Sequence, residues 1–136
     1  MRLPRHTRYL MAISAALALF VACETVPEPG EIPEDLSRQE YFQRGQEAYD
    51  QRHYDTALVY YQTFIDRNPD DLPGVAAAEY EIAFIHYRQG ELDIAETKLL
   101  DLLARYEGDE DGMLPDWPRI LAERILDRIQ EERVAS

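Results

Sequence analysis

The sequence predicts an all-α protein built from antiparallel helical hairpins, and three observations carry that prediction. From Ser37 onward, apolar residues recur at helical spacing, with capping and stop signals bounding each run. The segment 37–70 superimposes on 75–107 at a shift of 38 residues, so one hairpin is duplicated. No stretch shows the apolar–polar alternation of a half-buried strand.

The chain divides into four parts. Residues 1–22 hold Arg2, Arg5 and Arg8, then an uncharged run from Tyr9 to Ala22. This is the layout of a secretion signal, and the run is shorter than the ~20 residues a permanent span needs. Phe20-Val21-Ala22-Cys23 follows, and Cys23 is the chain's one cysteine. With no second cysteine in the chain there is no internal disulfide or CxxC site. Those four residues resemble the bacterial lipobox, in which a cysteine becomes the acylated N-terminus; Phe20 stands where that motif usually has Leu. The resemblance implies lipidation at Cys23, against cleavage of an ordinary signal nearby or an uncleaved anchor. Removal of 1–22 leaves 27 acids against 11 bases, a net charge of −16. Such a surface argues against nucleic acid and against adhesion to an anionic bilayer through a basic face. Residues 23–36, the cysteine with an acidic, Pro-rich run, are expected to form an extended, solvated tether.

Ser37 with Glu40 three residues on is a capping-box signature. Tyr41, Phe42, Gly45, Ala48 and Tyr49 then recur at helical spacing, predicting a helix over 38–51. A second helix, over 54–67, carries Ala57, Leu58, Tyr61, Phe64 and Ile65 on one face and ends at Asn68-Pro69, because the residue before proline resists the α region. Pro73 suits a first helical position, opening a third helix from Val75 to Arg88 that stops near Gly90. A fourth spans 92–106. The last part, 108–136, is an acidic turn and a helix over 117–132 N-capped by Asp116, with Trp117, Leu121, Ile125 and Ile129 along its seam. This helix is expected to cap the open edge of the second repeat, with Trp117 as its largest anchor.

Within the first repeat, Tyr41, Gly45, Ala57, Tyr61 and Pro69 fall on the slots of a known pattern. The segment resembles a tetratricopeptide repeat (TPR), although Arg44 and Ala48 depart from it. In the second repeat Ile82, Ala83, Ala95 and Leu99 fit, whereas Glu79, His86 and Glu107 do not. Four residues beyond the usual 34 fall around Asp70 to Gly74, where a loop absorbs an insertion cheaply. Lipobox, acidic linker, Arg67-Asn68-Pro69 turn, Leu72-Pro73-Gly74 insertion and the Ala-rich start of the third helix together resemble TPR lipoproteins of the outer-membrane assembly type, BamD and its relatives. That resemblance implies an α-solenoid of about two repeats plus a capping helix. It implies a lipid-anchored protein in the bacterial envelope, facing the periplasm from the outer membrane. Its implied role is an adaptor for protein partners, including the β-barrel assembly machinery, with no catalysis and no cofactor. A pilotin-like lipoprotein or an envelope and division coordinator would share this fold and anchor.

By the family's pattern, the first helix of each repeat lines a concave face. This places Phe42, Gln46, Tyr49 and Asp50, and Tyr80, Phe84, Tyr87 and Arg88, as candidate partner-binding residues. The alternative is that these aromatics pack against the neighbouring helix. His53 and His86 lie in different repeats, with no convergence that would make a catalytic or metal-binding pair. Asp109, Asp111 and Gly112 can occupy EF-hand places, but the twelfth place is Pro118, which offers no carboxylate, so no metal is expected. A periplasmic hydrolase using paired acids is the rival of a different class, and it needs carboxylates converging in an apolar cleft.

Overall fold

The computed structural model describes residues 25–109 and 112–135. The signal segment, Cys23 and its lipidation, and Asp111 of the acidic turn lie outside the described residues. The fold is all-α, with a short 3-10 turn, Pro29–Glu31, followed by five helices among the described residues: α1 Arg38–Asp50, α2 Tyr54–Arg67, α3 Leu72–Arg88, α4 Leu92–Glu107 and α5 Asp116–Ala135. The Ser37–Glu40 capping box opens α1: the Ser37 N–H donates to Glu40 Oε2 at 2.8 Å and the Glu40 N–H to Ser37 Oγ at 3.3 Å. The Ser37 hydroxyl, donating to Glu40 Oε2 at 2.6 Å, and then the Ser37 N–H hold the Glu40 carboxyl below its ordinary range.

Helices α1 and α2 pair as one hairpin, α3 and α4 as the next, and α5 lies against α4 and α3. Two cores result, and α3 serves both. Its Ala78, Ile82 and Ile85 join Tyr41, Ala48, Ala57, Tyr61 and Phe64. Its Ala76, Tyr80 and Ala83 join Ala95, Leu99, Leu102, Ala122, Ile125 and Ile129. A helix that is apolar on two opposite faces is what stacking of hairpins demands, since neither hairpin can bury its own apolar surface alone.

Three expectations need correction. Helix α3 begins at Leu72 rather than Val75, because Asp71 caps it, accepting from the Gly74 N–H at 3.1 Å, and Pro73 sits in the first turn. The four inserted residues are therefore not a loop. At the 38-residue shift α1 corresponds to residues 76–88, and Leu72–Val75 form one additional helical turn. Gly74 is required in that turn: a Cβ there would lie 2.6 Å from the Phe64 ring and from the Asp71 carboxylate.

Second, the segment 23–36 is not solvated throughout. Ile32 is 2% exposed in the first core, with Leu36 packed beside it. The Arg67 guanidinium holds the strap in place, donating to the carbonyls of Pro29 at 2.7 Å and of Ile32 and Pro33 at 3.0 Å. One apolar residue among acids, and one arginine from the end of α2, turn the tether into the cover of the α1–α2 edge.

Third, Asp116 is the first residue of α5 rather than its N-cap, and it bonds Arg119 one turn on at 3.1 Å. The buried seam of α5 is Pro118, Ala122, Ile125 and Ile129, while Trp117 is 41% exposed. The large indole sits at the lip of the fold, edge-on to Tyr80 at 5.5 Å, while the smaller Pro118 and Ala122 are the side chains buried in that part of α5. The far end of α5 is fixed by Arg133, which reaches Asp93 at 2.6 Å and Glu96 at 2.8 Å.

Candidate functional site: an aromatic concave face

Helix α3 lies between α1 and α5 and touches both. On α3, Ala77, Glu81, Phe84 and Arg88 follow one another at helical spacing and form the floor of the concave face. Helix α1 supplies one wall and the start of α5 the other. At one end of the face an open depression of about 350 Å³ is lined by Arg38, Gln39, Phe42, Pro73, Ala77 and Trp117, among others. Beyond it the rings connect. Trp117 meets Tyr80 edge-on, Tyr80 stacks on Phe84 with centroids 6.0 Å apart, and Phe84 meets Tyr49 at 5.8 Å and Tyr87 at 6.5 Å. Tyr49 continues to Tyr54 at 5.6 Å.

Four of the eight expected partner-binding residues, Tyr49, Tyr80, Phe84 and Tyr87, are thus brought into one chain of rings. The other four are placed differently. Phe42 turns inward, edge-on to Tyr61 and Phe64 at 5.4 Å, and reaches the surface only at the depression. Gln46 and Asp50 are exposed and bonded to each other at 2.9 Å. Arg88 is exposed. The rings also serve internal packing: Tyr80 is 7% exposed, and the Tyr87 hydroxyl donates to Glu132 of α5 at 2.9 Å.

Glu81 is the residue that reading the sequence missed. It is partly buried among these rings, and burial pushes its carboxyl up to about 7 from an ordinary 4.5. Its charge raises the phenols of Tyr49, Tyr61 and Tyr80, for each of which burial is the larger cause; Tyr80 is pushed up to about 12. No hydrogen bond or ion pair to Glu81 exists among the described residues. A signal was available: Glu81 interrupts the run Ala76 to Ala83 four residues after Ala77 and three before Phe84, where the groove floor needs a residue.

The histidines do not converge on this face. His53 precedes the first turn of α2. The His86 Nδ1 lies 2.6 Å from a Glu91 carboxylate oxygen at the α3–α4 turn. Asp109 closes the acidic turn, accepting from the Met113 and Leu114 amides at 2.8 and 2.9 Å. Among the described residues no group of three His, Cys, Asp or Glu side chains could hold a metal ion. The chemistry the concave face offers is apolar contact, ring faces and edges, and one unpaired carboxyl group.

Comparison with known proteins adds a relative. The chain is 34% identical over 94 residues to an uncharacterized protein of Treponema pallidum (strain Nichols), a match covering 69% of this chain. The aligned part is 38% of that protein, so the chain spans well under half of the relative's length. No family model and no solved structure matches.

Proposed function

We propose that this chain is a tetratricopeptide-like adaptor of the bacterial cell envelope, anchored by acyl chains on Cys23, which docks a partner protein in its concave face and catalyses nothing. The observation that carries the reading is the run of rings from Tyr49 through Phe84 and Tyr80 to Trp117, part buried and part open, beside an unfilled depression. Tyrosine and tryptophan suit such a face because they give large contact area at low entropic cost. The lipobox resemblance and the TPR slots support a place in outer-membrane β-barrel assembly.

With residues 29–33 strapped to the domain, only residues 24–28 separate Cys23 from the fold. Fully extended they reach under ~18 Å, so an acylated Cys23 keeps the domain close to the bilayer. The test is site-specific photocrosslinking in intact cells from positions 84 and 117, followed by identification of the captured protein. Capture of a β-barrel assembly component from both positions is the expected result; no capture from either removes the groove reading, and capture of secretin or wall-synthesis components moves the adaptor to another envelope machine. Cys23→Ala is expected to abolish acyl labelling and release the protein from membranes. Unchanged membrane attachment would remove the lipid anchor from the reading.

A further inference from the structure

Glu81 is placed as a receptor without its ligand. A carboxyl group partly withdrawn from water is normally matched by a cation or by several donors, because an unmatched one is costly to keep. Here neither is present. From α1 the Glu81 charge acts on Tyr49; Asp50, which acts on Tyr49 as well, accepts from Gln46. From α2 its charge acts on Tyr61 and along α3 on Tyr80, while Arg88 on the same helix acts on Tyr49. From α5 the charged group is Arg128, whose field falls on Tyr80 and Tyr87. Neither guanidinium pairs with Glu81. The surrounding ring faces are themselves attractive to a cation, and the chain as a whole carries −13.

We propose that the concave face selects a basic amphipathic segment of a partner protein, whose Arg or Lys pairs with Glu81 beside the rings of Tyr49 and Tyr80 while a neighbouring apolar side chain fills the depression beside Phe42 and Trp117. This rests on the groove reading above and adds the chemistry of the occupant. An acidic segment would meet Glu81 and Asp50 as like charges, and a wholly apolar one would leave the carboxyl group buried and unmatched. A cation makes the ionised form of Glu81 the favoured one, so binding releases a proton when Glu81 starts protonated. Affinity therefore climbs as the pH rises from about 6 to about 8.

The experiment uses the full chain in neutral detergent and a labelled, Trp-free amphipathic peptide with one central Arg among Leu residues. Its twins carry citrulline or Glu at that position. Trp117 is the sole tryptophan, and its contact with Tyr80 makes its emission a second readout of groove occupancy. The Arg peptide is expected to bind about tenfold or more tightly than the citrulline twin, a typical margin for a charge-assisted pair over a neutral one. Glu81→Gln, which keeps the shape, is expected to erase that difference and flatten the pH dependence. Equal affinity of the Arg and citrulline peptides, retained discrimination in Glu81→Gln, or preference for the Glu twin each overturns the inference. If both twins bind equally and Phe84→Leu weakens both, the cation pairing is lost but the groove reading stands. Binding by none of the peptides also overturns the inference, and the crosslinking experiment then decides the groove reading separately.

Discussion

The two hairpins are built to one plan at a 38-residue shift and solve the same local problems with different residues. Where α1 and α2 cross, Gly45 leaves room for Tyr61; in the second hairpin Ala83 and Leu99 hold the equivalent positions in one core, and all four are buried. At the end of the second helix, Arg67 reaches back to the Tyr41 hydroxyl at 2.8 Å, while its counterpart Arg105 reaches Glu79, which stands at the place of Tyr41, at 2.6 Å. In both turns the chain takes a left-handed step, at Arg52 with φ 65° and at Gly90 with φ 78°. The plan therefore resides in volumes and backbone geometry rather than in residue identity, and each pair can be exchanged or broken to see which hairpin depends on it more.

The largest difference is expected at the arginines. Arg67 donates to three strap carbonyls and a phenol, so Arg67→Ala frees Pro29–Pro33 and uncovers Ile32, at a cost of about 2–3 kcal/mol. Arg105 makes one ion pair to a single carboxylate and is 45% exposed, so Arg105→Ala should cost about 1 kcal/mol or less. Denaturant midpoints of the two variants measure this directly. Equal losses would mean that the strap contributes nothing to the first hairpin, and hydrogen exchange at Ile32 should then be as fast as in an open chain.

Glu81 sharpens the comparison from the other side. Its counterpart Gln43 is exposed and bonded to Glu47, whereas Glu81 lies against the preceding hairpin's rings. Because the folded carboxyl titrates near 7 rather than 4.5, the folded state holds a proton that the unfolded chain has lost. The stabilising effect of neutral Glu81 is complete below pH 4.5 and disappears as pH rises through 7; the shift is worth about 3 kcal/mol at full strength and about 2 kcal/mol once the residue's remaining exposure to water is allowed for. Unfolding free energies of wild type and Glu81→Gln, measured from about pH 5 to pH 8, should diverge by that amount, with the variant ahead at the alkaline end. Parallel curves would place Glu81 in water.

The next expected effect is at the helix crossing, where two terms compete. A Cβ on Gly45 would come within 2.7 Å of the buried Tyr61 ring, and overpacking of that kind costs about 1–3 kcal/mol. Against it, Ala is better than Gly in a helix interior by about 1 kcal/mol. Gly45→Ala alone is therefore expected to destabilise by about 1 kcal/mol. In a Tyr61→Leu background, which copies the second hairpin, the clash is gone and the same substitution should stabilise. A double-mutant cycle with no change of sign would show that Tyr61 tilts away freely.

Much of this was legible in the sequence, and what escaped has a physical reason. Helix positions, the capping box and the duplicated crossing follow from spacing and from residue size, which are local or near-local properties. The extra turn of α3 was hidden because the repeat comparison assigned the residues around Asp70 to Gly74 to an inserted loop, although proline is compatible with a first turn and Gly74 is there to let Phe64 approach. Ile32 was hidden because a single apolar side chain among acids has no period to reveal it; its burial depends on Arg67, 35 residues away. Ile125 and Ile129 lie on the α5 seam as expected, but its first half was misplaced by one residue because Trp117 dominates any apolar tally, while close helix contact selects small side chains such as Ala122. On the concave face the rings were identified by their slots, but Glu81 was not, since a carboxyl group's environment is set by three helices at once.

The smallest expected effect concerns the turns, and it isolates backbone from side chain. Arg52 and Gly90 occupy matching positions: the Arg52 N–H donates to the Tyr49 carbonyl at 2.8 Å and the Gly90 N–H to that of Tyr87 at 3.0 Å, while the next residues, His53 and Glu91, donate back to Ala48 and His86. A residue with a Cβ in this left-handed conformation is strained by roughly 1 kcal/mol relative to glycine, part of which is offset by glycine's greater freedom in the unfolded chain. Arg52→Gly should accordingly raise stability by about 0.5 kcal/mol, and Gly90→Arg should lower it by about 1 kcal/mol. Thermal unfolding of the pair tests both signs together. If Arg52→Gly instead destabilises, the arginine side chain contributes an interaction at the first turn that outweighs the backbone strain, and the two hairpins differ there in chemistry as well as in residue identity.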